Sequence, residues 1–167
     1  MPLIKDGRVV EDDWTHVPDG EAVPADRPAI VTFERWQAER ATFDGRNAAL
    51  GLRVKSGTLA PAIAPDLDQF ALVAIEFPKF RDGRGFSTAR DLRERYGFQG
   101  EIRAVGYIIP DQYLFMMRTG FTSAEPPANT NPASWAHALS EVSVAYQSCL
   151  DATPSAALMR RWEYSRP

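Results

Sequence analysis

The sequence predicts an α/β fold of about five strand–helix units around a parallel sheet. Three observations carry that expectation. From residue 29 onward, short apolar runs alternate with helical stretches in one sense. The run Ala71–Phe77 is almost wholly apolar, as a strand covered on both faces should be. Helix punctuation recurs at matching intervals: Gly97 and Gly120 where helices should stop, Pro110 and Asn131-Pro132 where they should begin. Units of this length imply parallel strands with right-handed crossovers. They point to a three-layer sheet of flavodoxin or Rossmann type, with an incomplete TIM-type barrel as the alternative.

Taken in order, residues 1–28 read as a hairpin and arm, and residues 29–167 as a single α/β domain. Leu3-Ile4 and Val9-Val10 flank Asp6-Gly7, a tight-hairpin signal. Pro18, Pro24 and Pro28 then mark a polar connecting stretch. Ala29–Phe33 reads as a strand, Glu34–Ala41 as a short helix and Ala48–Val54 as a second strand. Ala60–Phe70 is weakly helical, interrupted by Pro61 and Pro65. After Ala71–Phe77 come a helix over Ser87–Tyr96, with Ser87 as its cap, and a strand over Glu101–Ile109. A helix follows from Pro110 to about Thr119, then a short strand at Phe121–Ser123. Trp135, Ala138, Leu139, Val142, Ala145 and Tyr146 recur at helical spacing in the last helix.

At 167 residues the chain has the size of one domain, with 44% hydrophobic and 25% charged residues. Its net charge of -3 argues against nucleic acid as a partner. A lone cysteine, Cys149, permits no internal disulfide and fits a reducing compartment. The stretch Met1–Gly7 lacks the apolar core of a signal peptide. The longest apolar run, Phe70–Ile75, is too short for a membrane span. A cytoplasmic location is expected, with no membrane partner.

The segment richest in chemistry follows the clearest strand. Phe77-Pro78-Lys79-Phe80-Arg81-Asp82-Gly83-Arg84-Gly85-Phe86-Ser87 should lie at the carboxyl edge of the sheet, where parallel α/β folds bind ligands. Gly83 and Gly85 allow a sharp turn that presents backbone N–H groups to an anion, beside a helix N-terminus. Between Lys79 and Arg95, six basic residues face three acidic ones, a local excess of +3 on an acidic chain. Lys79, Arg81, Gly83, Arg84, Gly85, Ser87, Arg90 and Gln112 are the candidate anion ligands. Asp82 and Asp111 are the candidate proton-handling or orienting carboxylates, with Asp111-Gln112 brought alongside by the next strand. Arg93, bordering the Ala89–Leu92–Tyr96 face, reads as a structural ion-pair partner.

Other chemistries fit less well. Gly83-Arg84-Gly85-Phe86-Ser87-Thr88 begins too far beyond the strand for a dinucleotide turn, and no acid closes the next strand. No NAD, P-loop or metal site of the usual form is evident, so the cofactor is unknown. Two histidines and one cysteine cannot supply four zinc ligands. His16 falls in the arm beside Asp12 and Asp13, and His137 opposite the Trp135 face.

The runs Ile75–Ser87, Leu92–Phe98 and Gly100–Gly106, with Asp111-Gln112 and Ser143-Val144-Ala145-Tyr146-Gln147, resemble the bacterial domain-of-unknown-function family numbered 934. The resemblance covers nearly the whole chain. It implies a role in assimilatory sulfite reduction, as an oxidoreductase or an accessory protein, because members are described beside sulfite/nitrite reductase and adenylylsulfate-reducing enzymes. It carries over no catalytic residue. This sequence has Gly106-Tyr107-Ile108 where relatives often have Gly-Asp-Val, and Thr119 where they often have cysteine.

Two expectations follow. The chain is an accessory protein of reductive sulfur assimilation, docking on a sulfite/nitrite reductase or related enzyme through its basic patch. Alternatively it is an oxidoreductase or other enzyme acting on a sulfur oxyanion or a phosphate-bearing small molecule.

Overall fold

The computed structural model describes residues 2–142 together with Ala145, Tyr146, Leu150, Ser155, Ala156 and Met159. Cys149 and most of the Ser143–Gln147 run lie outside the described residues. Eight strands form one sheet: β1 (Leu3–Lys5), β2 (Arg8–Val10), β3 (Thr15–His16), β4 (Ala29–Thr32), β5 (Leu50–Lys55), β6 (Leu72–Phe77), β7 (Glu101–Gly106) and β8 (Ser123–Glu125). Five helices are described: α1 (Phe33–Glu39), α2 (Ala60–Ile63), α3 (Arg84–Glu94), α4 (Tyr113–Arg118) and α5 (Pro132–Ser140). From β4 onward each strand is followed by one helix, giving the five units the sequence predicts.

Strand order decides the architecture. The sheet runs β2-β1-β8-β7-β6-β5-β4-β3, and β3 to β8 are parallel and consecutive. The α/β reading with a parallel sheet holds, and β6 and β7 are adjacent, parallel and largely buried. The three-layer doubly wound layout does not: such a sheet needs a point where strand order reverses, and none occurs among β3–β8. Consecutive right-handed crossovers instead put all the helices on one face.

That sheet is strongly curled, for a reason of chain length. β2 and β3 occupy opposite edges, yet only Glu11–Trp14 separate Val10 from Thr15. Five extended steps reach at most about 18 Å. Eight flat strands would hold their edges about 34 Å apart. The edges must therefore approach one another, and they do: His16 Nε2 on β3 lies 2.8 Å from Glu125 Oε2 on β8. The result is a half-barrel with residues 11–14 strapped across its open side.

The convex face is the apolar one. Val31, Leu50, Leu52, Val54, Val73, Ile75, Phe77, Ile102, Ala104 and Ala124 alternate onto it and pack under the helices, with Trp36, Leu92, Tyr113 and Trp135 filling the layer. Local signals set the elements. Asp6 and Gly7 both take positive φ, the two-residue turn that suits a hairpin. Asn131 accepts from the Ala133 N–H at 3.1 Å and opens α5. Gly97 and Gly120 take the left-handed conformation just beyond α3 and α4. The β1–β2 hairpin is built into the sheet, because β1 pairs antiparallel with β8. Among the described residues no helix is long and apolar enough to cross a membrane.

Candidate functional site

Polar side chains gather in two places: the rim at the carboxyl ends of the strands, and the concave interior. At the rim, the turn after β6 folds mainly upon itself. Asp82 accepts the Ser56 hydroxyl at 2.7 Å and both arms of the Arg84 guanidinium, at 2.9 and 2.7 Å. Hydrogen bonds from Arg84, then from Ser56, hold the Asp82 carboxyl well below the usual carboxylate range. A carboxylate so stabilised is a weak base, suited to orienting Arg84 and Ser56. Two of the three Arg84 guanidinium nitrogens, Nε and Nη2, are engaged by Asp82, on a side chain that is otherwise exposed.

The glycines and Ser87 also have local explanations. A Cβ on Gly85 would lie 2.9 Å from both Ile75 Cγ2 and Phe77 Cζ, so this glycine lets α3 approach β6 closely. Gly83 sits at the helix cap with no side-chain bond, and α3 opens at Arg84. Ser87 is therefore exposed within the helix and does not cap it. Thr88, one residue on, donates to the Thr58 carbonyl at 2.8 Å and anchors the helix inward.

The arginines of α3 face different ways. Arg90 meets Glu94 at 2.9 Å, one turn along. Arg93 donates to the Gly120 carbonyl at 3.0 Å and to the Phe98 carbonyl, and lies over the Phe98 ring, a structural role made through carbonyl oxygens and not through the expected ion pair. Burial pushes its pKa down. Gln112 does reach the turn: its Nε2 donates to the Phe80 carbonyl at 2.7 Å, while its Oε1 is buried without a hydrogen-bond partner. Asp111 is exposed beside it. Lys79 and Arg81 are exposed, with Arg81 over the Phe80 ring. Large aromatic side chains share this rim, with Phe80 43%, Tyr107 59% and Phe115 52% exposed. Tyr107 is stitched to β6 through its N–H to the Phe77 carbonyl, and Phe115 packs 4.8 Å from the Phe86 ring.

The interior holds what sequence reasoning missed. Arg103, with 0% exposure, points into the concave side. It donates two parallel bonds to Asp12 at 2.7 and 3.0 Å, one to Glu101 at 2.9 Å, and approaches Glu125 at 3.5 Å. Lys5 and Ser123 each reach Glu101 at 2.7 Å. His16 bonds Glu125 through Nε2, and its Nδ1 is buried with no partner. Burial alone would push the Glu101 and Glu125 carboxyls up. Lys5, Ser123 and Arg103 overcome this for Glu101, and His16 and Arg103 for Glu125, so both end below their ordinary values. Burial also works against the Arg103 cation, but Asp12 and Glu101 raise its pKa on balance. Trp14 packs beside this network against Ile30, Leu72, Ala74 and Val105, seated where Gly51 carries no side chain.

One signal could have found the interior. Glu101 and Arg103 occupy alternate positions in a strand that otherwise reads as buried, and Arg53 and Glu76 interrupt β5 and β6 in the same way. Charges at the strand period on one face mean that this face meets other charges. The sequence places His16 in the arm beside Asp12 and Asp13, and nothing local shows that this arm returns to the barrel. Among the described residues, no group of three His, Cys, Asp or Glu side chains is placed to hold a metal ion. Surface grooves open on the amino-terminal side, between Thr42 and Asn47 and beside Phe98–Gly100, away from the rim. Of the two departures noted above, Tyr107 adds an exposed ring. Thr119 closes α4 by donating to the Phe115 or Met116 carbonyl, at 2.9 and 3.0 Å.

No curated protein and no solved structure matches this chain. The model of one family does, over residues 51–156, from β5 through α5 and beyond. By that match the chain belongs to DUF934, the bacterial proteins of unknown function.

Proposed function

We propose that this protein is an accessory protein of reductive sulfur assimilation that docks on a sulfite/nitrite reductase or related enzyme through the carboxyl-terminal rim. The observation that supports this is the rim itself: exposed Phe80, Tyr107 and Phe115 beside exposed Lys79 and Arg81. Aromatic rings and arginine are the residue types that carry binding energy at protein interfaces. The same geometry weakens the case for a small oxyanion there, because Arg84 is taken up by Asp82 and Arg90 meets Glu94. The partner surface should be acidic around an apolar centre. The pathway comes from the family resemblance, and the docking mode from the rim.

Titration calorimetry against purified sulfite reductase tests this. Wild-type protein should bind, and Phe80→Ala combined with Arg81→Glu should weaken binding at least tenfold. Raising the salt should weaken it less than that double change does, because the aromatic part is insensitive to screening. Equal binding by wild type and the double variant, or no binding by either, overturns the reading.

A further inference from the structure

We propose that the carboxyl-terminal mouth of the half-barrel is a separate binding site for a small α-amino or α-hydroxy carboxylate, held through its carboxylate by Arg53 and through its ammonium or hydroxyl group by Glu76. The two residues stand on neighbouring strands and face the concave side, since Leu52, Val54, Ile75 and Phe77 take the convex positions between and beyond them. This is the end of a parallel barrel at which ligands gather.

Arg53 differs from the interior's other arginine. Arg103 is fully buried and hydrogen-bonded to Asp12 and Glu101. Arg53 is part-exposed and makes one ion contact, Nη2 to Glu76 Oε2 at 3.1 Å. Among the described residues, its guanidinium makes no other ion pair or hydrogen bond, and neither does Glu76 Oε1, although the Lys55 ammonium stands opposite Glu76 in register, paired with Glu34, and acts on it through space. A planar fork with free donors suits a carboxylate.

The neighbouring charge selects the ligand. Glu76 stands within contact of Arg53, so a plain anion entering the mouth meets repulsion as well as attraction. A molecule carrying a carboxylate and a donor on adjacent carbons satisfies both side chains at once, at the same short spacing. Size is limited too. Trp14 plugs the barrel below, Ala74 and Val105 form a buried apolar floor, and the His16–Glu125 contact closes the far side. The mouth thus offers a shallow two-point site above a filled core. It is distinct from the rim, since neither Arg53 nor Glu76 belongs to the turn after β6.

The test uses the full-length protein and four probes: glycine, L-lactate, acetate and sulfate. Thermal shift and calorimetry should show saturable binding of glycine or lactate, with acetate and sulfate at least tenfold weaker. Arg53→Ala should abolish binding. Arg53→Lys, which keeps the charge and serves if the alanine variant does not fold, should weaken it at least fivefold. Glu76→Gln should weaken glycine more than lactate, because a neutral amide still pairs with a hydroxyl. Arg81→Glu, a rim change, should leave probe binding intact, which separates this site from the docking surface. Absence of saturable binding by both glycine and lactate, sulfate binding as tightly as they do, or undiminished binding by folded Arg53 variants would each overturn the proposal.

Discussion

Arg103 and Arg84 look alike in sequence, since each is an arginine with a carboxylate two residues before it, yet they hold very different positions. Arg103 joins three carboxylates from β7, β8 and the strap, all largely withdrawn from water. Removing a buried cation leaves those carboxylates facing each other, which costs far more than the net value of the intact network. Arg103→Met should therefore lower stability by about 3–5 kcal/mol, read as a shift in urea midpoint. Arg84 is exposed beside Asp82, and Arg84→Ala should move the same midpoint much less. Midpoint shifts of similar size would mean that burial does not distinguish the two. The sequence singles out Arg84 and says nothing of Arg103, because charge density along the chain is visible locally and burial is not.

For helix α3, the informative substitutions lie at its start. The helix begins at Arg84, three residues ahead of the Ser87 expected from the preference for hydroxyl caps. Ser87→Ala should consequently change stability by less than about 0.5 kcal/mol, the range for an exposed position without a special role. Gly85→Ala should cost about 1–3 kcal/mol, because its methyl group presses on Ile75 and Phe77 in a filled layer. The glycine has an ordinary backbone conformation, so steric contact alone produces the loss. A true cap exists at α5, where Asn131→Ala should cost about 1 kcal/mol. Thermal or denaturant melts of the three variants order these effects, and a Ser87→Ala loss equal to that of Asn131→Ala would contradict the observed helix start.

Across the whole molecule, the half-barrel ties its stability to pH through Glu101 and Glu125. Their carboxyls sit below the ordinary value in the folded state, so the unfolded chain takes up protons first as pH falls. The stabilisation they give is complete above the unfolded glutamate pKa, roughly 4.3. It is lost as pH drops through their folded values. The melting temperature should hold steady from pH 7 to 5 and fall steeply below about pH 4.3. Glu125→Gln should lower stability at neutral pH and flatten that acid slope. An unchanged slope would mean that this network does not govern acid unfolding. The same contacts fasten the strap and the edge strand β3, so hydrogen exchange should quicken around Asp12–His16 before the β5–β7 centre as acid is added.

The sequence by itself determined the elements and their order: the Asp6-Gly7 hairpin, five strand–helix units, the glycine stops, the Asn131 cap and the doubly covered strand Leu72–Phe77. Each depends on residues within a turn or a strand of one another, so local sterics, hydrogen bonding and hydrophobic period are enough to write them. Tertiary structure alone decided that the sheet curls in consecutive order, that residues 11–14 cross its open side, and that His16 meets Glu125 and Asp12 meets Arg103. Those partners lie 109 and 91 residues apart. Their pairing follows from chain length across the strap and from the charge each brings into a low-dielectric interior, neither of which has a local signature.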